Sequence, residues 1–268
     1  VEERLFPNWS MRIINLDHNT DSLIHPVKIL LQTISESHGI IAQYTQPAVF
    51  NMLDNGINPL TVPAQKVEKI VLFGDIVSFS AISENLPVDM IARMINGYLE
   101  ICCDEISAAG GEVTKFMGDG VMAYFAPGLA DNAVAACLNI LSKLHDVRQS
   151  ADTRSPLRLL HCGFGLSQGV VIEGNMGSAI KKDYTILGDP VNTAKRLEAL
   201  SRDVHKAIVL SEQVKISTQR AWDFVSLGKH DLRGKARMTE LYFPDHDLVN
   251  DFSPRETILH GMKEVHKE

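Results

Sequence analysis

Hydrophobic spacing along the chain alternates between helical and strand periods. Val27, Ile34 and Ile41 recur every seven residues, and Leu30, Ser37 and Tyr44 fill the intervening positions. This predicts an amphipathic helix from Pro26 to about Tyr44, with Pro26 in its first turn and Pro47 stopping it. Asn55-Gly56 and Asn58-Pro59 mark a turn, and Pro63 precedes a longer alternating region. There, Ile70 to Phe73 reads as a buried strand. Pro87 to Ile106 keeps three-and-four spacing through Ile91, Met94, Ile95, Tyr98, Leu99, Cys102 and Ile106, ended by Gly110-Gly111. Glu112–Met117 and Val121–Phe125 flank Gly118-Asp119-Gly120, a hairpin signal. Ala133–Val147 predicts a second amphipathic helix, and Leu157–Ile172 predicts strand. Val191–Leu200 predicts a third helix, Ala207–Leu210 a strand, and Phe224–Phe243 a closing hairpin. The order strand–helix–strand–strand–helix–strand is that of a ferredoxin-like α/β sandwich with a small α/β extension, preceded by a helical stalk.

Composition narrows the partners. The chain has 268 residues, 45% hydrophobic, with a net charge of −7. That charge argues against general binding to nucleic acid or an anionic membrane, but leaves room for one nucleotide held by a few local cations. Cys102, Cys103, Cys137 and Cys162 form no Cys-x-x-Cys pair, which disfavours zinc and fits a reducing cytoplasm. No signal peptide or uncharged membrane-length stretch is present, so a cytoplasmic location is expected. The chain starts at Val1 without an initiator Met, which suggests a missing upstream domain.

Two carboxylates carry the chemistry. Asp75 closes the apolar run Val71-Leu72-Phe73-Gly74, and Asp119 sits in the Gly-Asp-Gly turn. Either alone is most often structural. Lys115 stands four positions before Asp119, an even spacing that on a strand puts both on one face. Asn192 and Arg196, four apart on a predicted helix, share another face. Carboxylates for metal, with amide and cation for phosphate, are what phosphoryl-transfer chemistry requires.

In this order the motifs closely resemble the catalytic domain of class III nucleotide cyclases, over roughly residues 66–244. The resemblance implies that the chain turns ATP into 3′,5′-cyclic AMP and pyrophosphate. Asp75, Asp119 and the Ile76 carbonyl match the ligands of two Mg²⁺ (or Mn²⁺) ions per site. Lys115 matches the lysine that reads N1 of adenine, which favours ATP over GTP. Thr185 of Tyr184-Thr185-Ile186-Leu187-Gly188 matches the acceptor for the 6-amino group, where many adenylate cyclases carry Asp. Asn192 matches the residue that orients the ribose, and Arg196 the one that neutralises the phosphorane. Phe79 and Ser80 match a phosphate-cradling loop, and Lys235 the lysine for the outer phosphates. The family's metal aspartates face the base-reading and transition-state residues of a second chain, which implies a homodimer with two composite sites.

Arg4 to Leu16, with Trp9 and Met11, resembles the end of a BLUF flavin photosensor of the kind joined to bacterial photoactivated adenylate cyclases. Residues 1–22 are then a sensor remnant, 23–65 a helical dimer stalk, 66–244 the cyclase domain, and 245–268 a helical tail. Flavin would bind only through the missing sensor. Three alternatives stay open: a degenerate domain that binds nucleotide and dimerises, a guanylate cyclase, and a diguanylate cyclase. Ala109-Gly110-Gly111-Glu112-Val113 resembles the GGDEF signature of the last, but Val113 replaces its second acid.

Overall fold

The central strand β1, Gln65–Ile76, grows out of the apolar run that precedes Asp75, and five consecutive residues, Ile70–Gly74, are buried in it. A strand buried on both faces reads as continuous hydrophobicity, which is why this segment lacks alternation. The computed structural model describes residues 21–152, 155–232, 238–250, 252, 254, 258, 261 and 262, with backbone only for 21–29. Two compact units divide the chain, Val1–Pro59 and Leu60–Glu268.

In the first unit, helix α1 spans Asp21–Tyr44 and α2 spans Pro47–Asp54. Pro47 occupies the first turn of α2, so the chain breaks between Tyr44 and Pro47 as expected. Pro26 does not open α1; the helix already exists at Asp21. One lost N–H bond, about 3 kcal/mol, does not stop a 24-residue helix. The predicted seam is uncovered within this unit: Leu30, Ile34, Ile41 and Tyr44 are exposed. His38 packs against Phe50 of α2, with ring centroids 4.5 Å apart.

In the second unit, β1 leads through a short helix α3, Phe79–Asn85, into α4, Val88–Ala108. Gly110, at φ +81°, ends α4: its N–H bonds Ser107 O, and Gly111 N–H bonds Ile106 O. Then come β2 (Glu112–Met117), β3 (Gly120–Phe125), α5 (Ala130–Ser150), β4 (Cys162–Gly177) and β5 (Lys182–Leu187). The chain continues through α6 (Asp189–Asp203), β6 (Ile208–Ser211), α7 (Glu212–Ser217), β7 (Phe224–His230), β8 (Thr239–Pro244) and α8 (Asp247–Asn250). The sheet order is β2-β3-β1-β4-β6-β8-β7, with β5 paired to the far half of β4. Its first four strands, with α4 and α5 between them in sequence, form the expected ferredoxin-like half. The rest is the extension.

Helices α4 and α5 cover one face. Met94, Tyr98, Cys102 and Ile106 meet Val134, Cys137, Ile140 and Leu144 over Ile70, Leu72 and Phe164. The other face holds Val71, Phe73, Met122, Val171, Ile186 and Ala194 of α6. Helix α6 lies directly on β4. A side chain at Gly165 would strike the backbone of Ala194 and Glu198, so only glycine permits this approach. The cyclase-tail residues Val249, Phe252 and Ile258 are buried in the main core. Trp9, Met11 and the rest of residues 1–20, where a sensor remnant is expected, and Lys235 lie outside the described residues.

Candidate active site

The β1–β3 register pairs Gly74 with Val121, and the β2–β3 register pairs Met117 with Gly120. Together they bring the end of β1 against the two-residue turn Gly118-Asp119. Gly118 adopts φ +69°, the left-handed region that such a turn needs. The carboxyl groups of Asp75 and Asp119 come together there, close enough for the charge of one to act on the other. Burial, then the contact and charge of Asp75, push Asp119 up to about 7. Asp75 Oδ1 accepts from the Ile76 N–H at 3.1 Å. Gly120 keeps the approach open: a Cβ there would lie 3.4 Å from Asp75 Oδ1.

This donor set fits a hard divalent cation. Two carboxylates in contact repel without a counter-ion, and all available donors are oxygen. Among the described residues, no group of three or more His, Cys, Asp or Glu is placed to hold a metal. Magnesium suits such a site, since it takes one or two carboxylates and completes its shell with water and substrate phosphates.

A neighbouring network escaped the sequence reading. Arg202, on the last turn of α6, has Nη2 3.5 Å from Asp75 Oδ2 and also donates to Glu198. Glu198 is almost wholly buried. Burial raises it to about 7, Arg202 opposes this, and Asp75 and Asp119 add to it. Its spacing from Arg202 is the ordinary helical four, which the sequence displays. That both face Asp75 depends on how α6 lies on the sheet.

The two residues expected to read the base, Lys115 and Thr185, lie away from the carboxylate pair. Lys115 on β2 places Nζ 3.0 Å from Asp183 Oδ2 on β5, a partner the sequence did not suggest. Thr185, two residues along β5, is buried, and among the described residues its Oγ1 has no hydrogen-bond partner. The expected shared face of Lys115 and Asp119 does not survive. β2 ends at Met117, and Asp119 lies in the turn beyond it. The strand period therefore does not connect them.

Asn192 and Arg196 sit one turn apart on α6, as spacing predicts, with Asn192 exposed and Arg196 half-buried. Among the described residues, neither bonds Asp75 or Asp119. Phe79 and Ser80 form the first turn of α3 rather than a loop. Ser78 precedes them at φ +57°, and no side chain caps the turn. Their N–H groups belong to the helix's first, unpaired positions.

Comparison with known proteins places this geometry in context. Residues 62–244 match the family described as the adenylate and guanylate cyclase catalytic domain. A photoactivated adenylate cyclase subunit alpha from Euglena gracilis is 34% identical over 193 residues, covering 70% of this chain and 19% of that protein. An adenylate cyclase from Anabaena cylindrica is 32% identical over 163 residues, covering 59% of this chain and 32% of that protein. The chain thus spans about a fifth to a third of the length of these curated relatives. Among solved structures, a bacterial light-regulated adenylyl cyclase superposes with a TM-score of 0.84 at 43% identity, covering 98% of this chain and 77% of that one. On the family match and these homologies, the chain belongs to the adenylate and guanylate cyclase catalytic domain family.

Proposed function

We propose that the chain converts ATP to 3′,5′-cyclic AMP and pyrophosphate, as the cytoplasmic output domain of a light sensor. The observation that carries this reading is the contact of Asp75 with Asp119 inside a family-matched domain. The ribose 3′-oxygen attacks the α-phosphorus, the bond from that phosphorus to the bridging oxygen breaks, and pyrophosphate leaves. Asp75, Asp119 and the Ile76 carbonyl would hold two Mg²⁺ or Mn²⁺ ions. Such ions lower the pKa of the attacking hydroxyl and neutralise the leaving phosphates.

The remaining steps fall to side chains of this chain. Lys115 donates to N1 of adenine, and Thr185 accepts from the 6-amino group. The unpaired buried hydroxyl of Thr185 supports this, since such a group gains most from an arriving donor. Asn192 orients the ribose. Arg196 meets the charge that grows on phosphorus, a task suited to an always-charged fork. The N–H groups of Phe79 and Ser80, with Lys235, hold the outer phosphates. In this reading two chains pair head to tail, and the exposed α1 seam extends the pairing as a stalk. The names of the light-regulated relatives support the sensor link.

The test is direct. The purified chain is incubated with Mg²⁺ and ATP or GTP, and products are identified by mass. Cyclic AMP from ATP is expected. Cyclic GMP alone, or no cyclic product from a folded dimer, overturns the proposal.

A further inference from the structure

Arg202 is divided between two carboxylates. It donates tightly to Glu198 and lies at the outer limit of contact, 3.5 Å, from Asp75 Oδ2. Its Nε–H is buried with no acceptor among the described residues. Among the described residues, the guanidinium thus satisfies only part of its donor set. Glu198 needs it, because a buried carboxylate left without its cation is strongly unfavourable. Asp75 also needs it while no other cation is present, since Asp119 presses against it.

We propose that Arg202 is a built-in counter-cation that competes with the divalent ion for Asp75 and so sets the ion affinity of the carboxylate pair. It acts through Asp75 and is a positioning residue, not a catalytic one. The inference rests on the proposed reading of Asp75 and Asp119 as metal ligands. Without a divalent ion, Arg202 is shared between Glu198 and, at the limit of contact, Asp75. A divalent ion at Asp75 would repel the guanidinium, which would give up the Asp75 contact and stay with Glu198 one turn back. Glu198 is the resting place that makes the exchange cheap.

Opposite effects follow at the two residues. Arg202→Gln removes the competitor, so the pair should bind a cation more tightly. Glu198→Gln weakens the resting place and leaves Arg202 to Asp75, so binding should weaken. Arg202→Lys keeps the charge and should stay near the wild type. Both shifts should be at least about fivefold, the lower range of site-to-site coupling.

The experiment titrates the full chain with Mn²⁺ in the absence of nucleotide, reading free ion by electron paramagnetic resonance. Circular dichroism checks folding. Tighter binding in R202Q with weaker binding in E198Q supports the exchange. Unchanged or weaker binding in a folded R202Q overturns it. Should R202Q not fold, E198Q decides: unchanged or tighter binding overturns the proposal. D75N separates the two readings. If D75N leaves wild-type Mn²⁺ binding intact, the metal assignment fails and the exchange fails with it.

Discussion

Replacing Thr185 by Val should move stability and base selectivity in opposite directions. The hydroxyl is buried, only 5% of the residue is exposed, and Oγ1 has no partner among the described residues. An unsatisfied buried hydroxyl costs about 1–3 kcal/mol. Valine has nearly the same volume and no polar atom. The backbone of Thr185 pairs with Gly174 and is untouched by the change. Nucleotide-free T185V should therefore gain about 1 kcal/mol, which raises Tm by roughly 2–4 °C in a unit of this size. With ATP the hydroxyl acquires a donor, the 6-amino group, and valine forfeits that bond. A net hydrogen bond of about 0.5–1.5 kcal/mol corresponds to roughly a 2- to 12-fold loss of kcat/KM. The assay compares ATP with purine riboside triphosphate, which lacks the 6-amino group. Wild type should prefer ATP, and T185V should bring the two substrates close to equal. A less stable T185V would mean the hydroxyl already has a partner in the chain. An unchanged ratio would remove Thr185 from the base pocket.

The remaining predictions test the other groups. Asp75→Ala or Asp119→Ala should abolish cyclisation in a folded dimer, and near-normal turnover with Mg²⁺ in either would refute the metal assignment. Arg196→Ala should lower kcat on the order of 10²-fold with little change in KM; a pure KM effect would assign Arg196 to ground-state binding. Asp119 is raised from 3.8 to about 7 in the fold. Its contribution to metal-free stability is therefore complete below about pH 4 and lost as pH rises through about 7. Urea melts in chelator at pH 5.5 and 8 should show that slope, to which Glu198, also raised to about 7, adds; D119N should reduce it, and an equal slope in D119N refutes the cause. Mixing inactive D75A with inactive R196A, once subunit exchange is demonstrated, should restore about a quarter of wild-type activity by counting mixed dimers under two-fold geometry. No recovery would place each site within one chain.

Legibility followed the range of the interaction. The end of β1 was readable because a continuous apolar run stops at Gly74-Asp75. The β2–β3 turn was readable because Gly118-Asp119 has few alternatives between two apolar segments. Helix α4 was readable from Met94, Tyr98, Cys102 and Ile106, all fully buried. The strand β5 was missed. Its flank Lys181-Lys182-Asp183 is polar, and only its pairing to the far half of β4 makes it a strand. Short α3 and α7 were missed for a similar reason, as each is held by its surroundings more than by caps. The partners of Asp75 and Lys115 were invisible. Arg202 lies 127 residues from Asp75 and Asp183 lies 68 from Lys115, so only the folded sheet joins them.

The arrangement of α6 bears on whether one chain can complete a site. Glu198 and Arg202 form one ridge, turned toward Asp75 of the same chain. Asn192 and Arg196 form another. Positions 196 and 198 differ by two residues, roughly 200° around a helix of 3.6 residues per turn. A ridge so placed does not point at the carboxylates that Arg202 touches. If Asp75 and Asp119 are the metal ligands and Arg196 meets the reacting phosphorus, the two sets cannot easily serve one nucleotide within a chain. Under the proposed head-to-tail pairing, a second copy presents its own Asn192 and Arg196 to the first copy's carboxylate pair. On that proposal α6 holds two arginines with different tasks. Arg202 reaches Asp75 of its own chain, and Arg196, with no ion pair among the described residues, is the one proposed to meet the charge that arrives only during reaction.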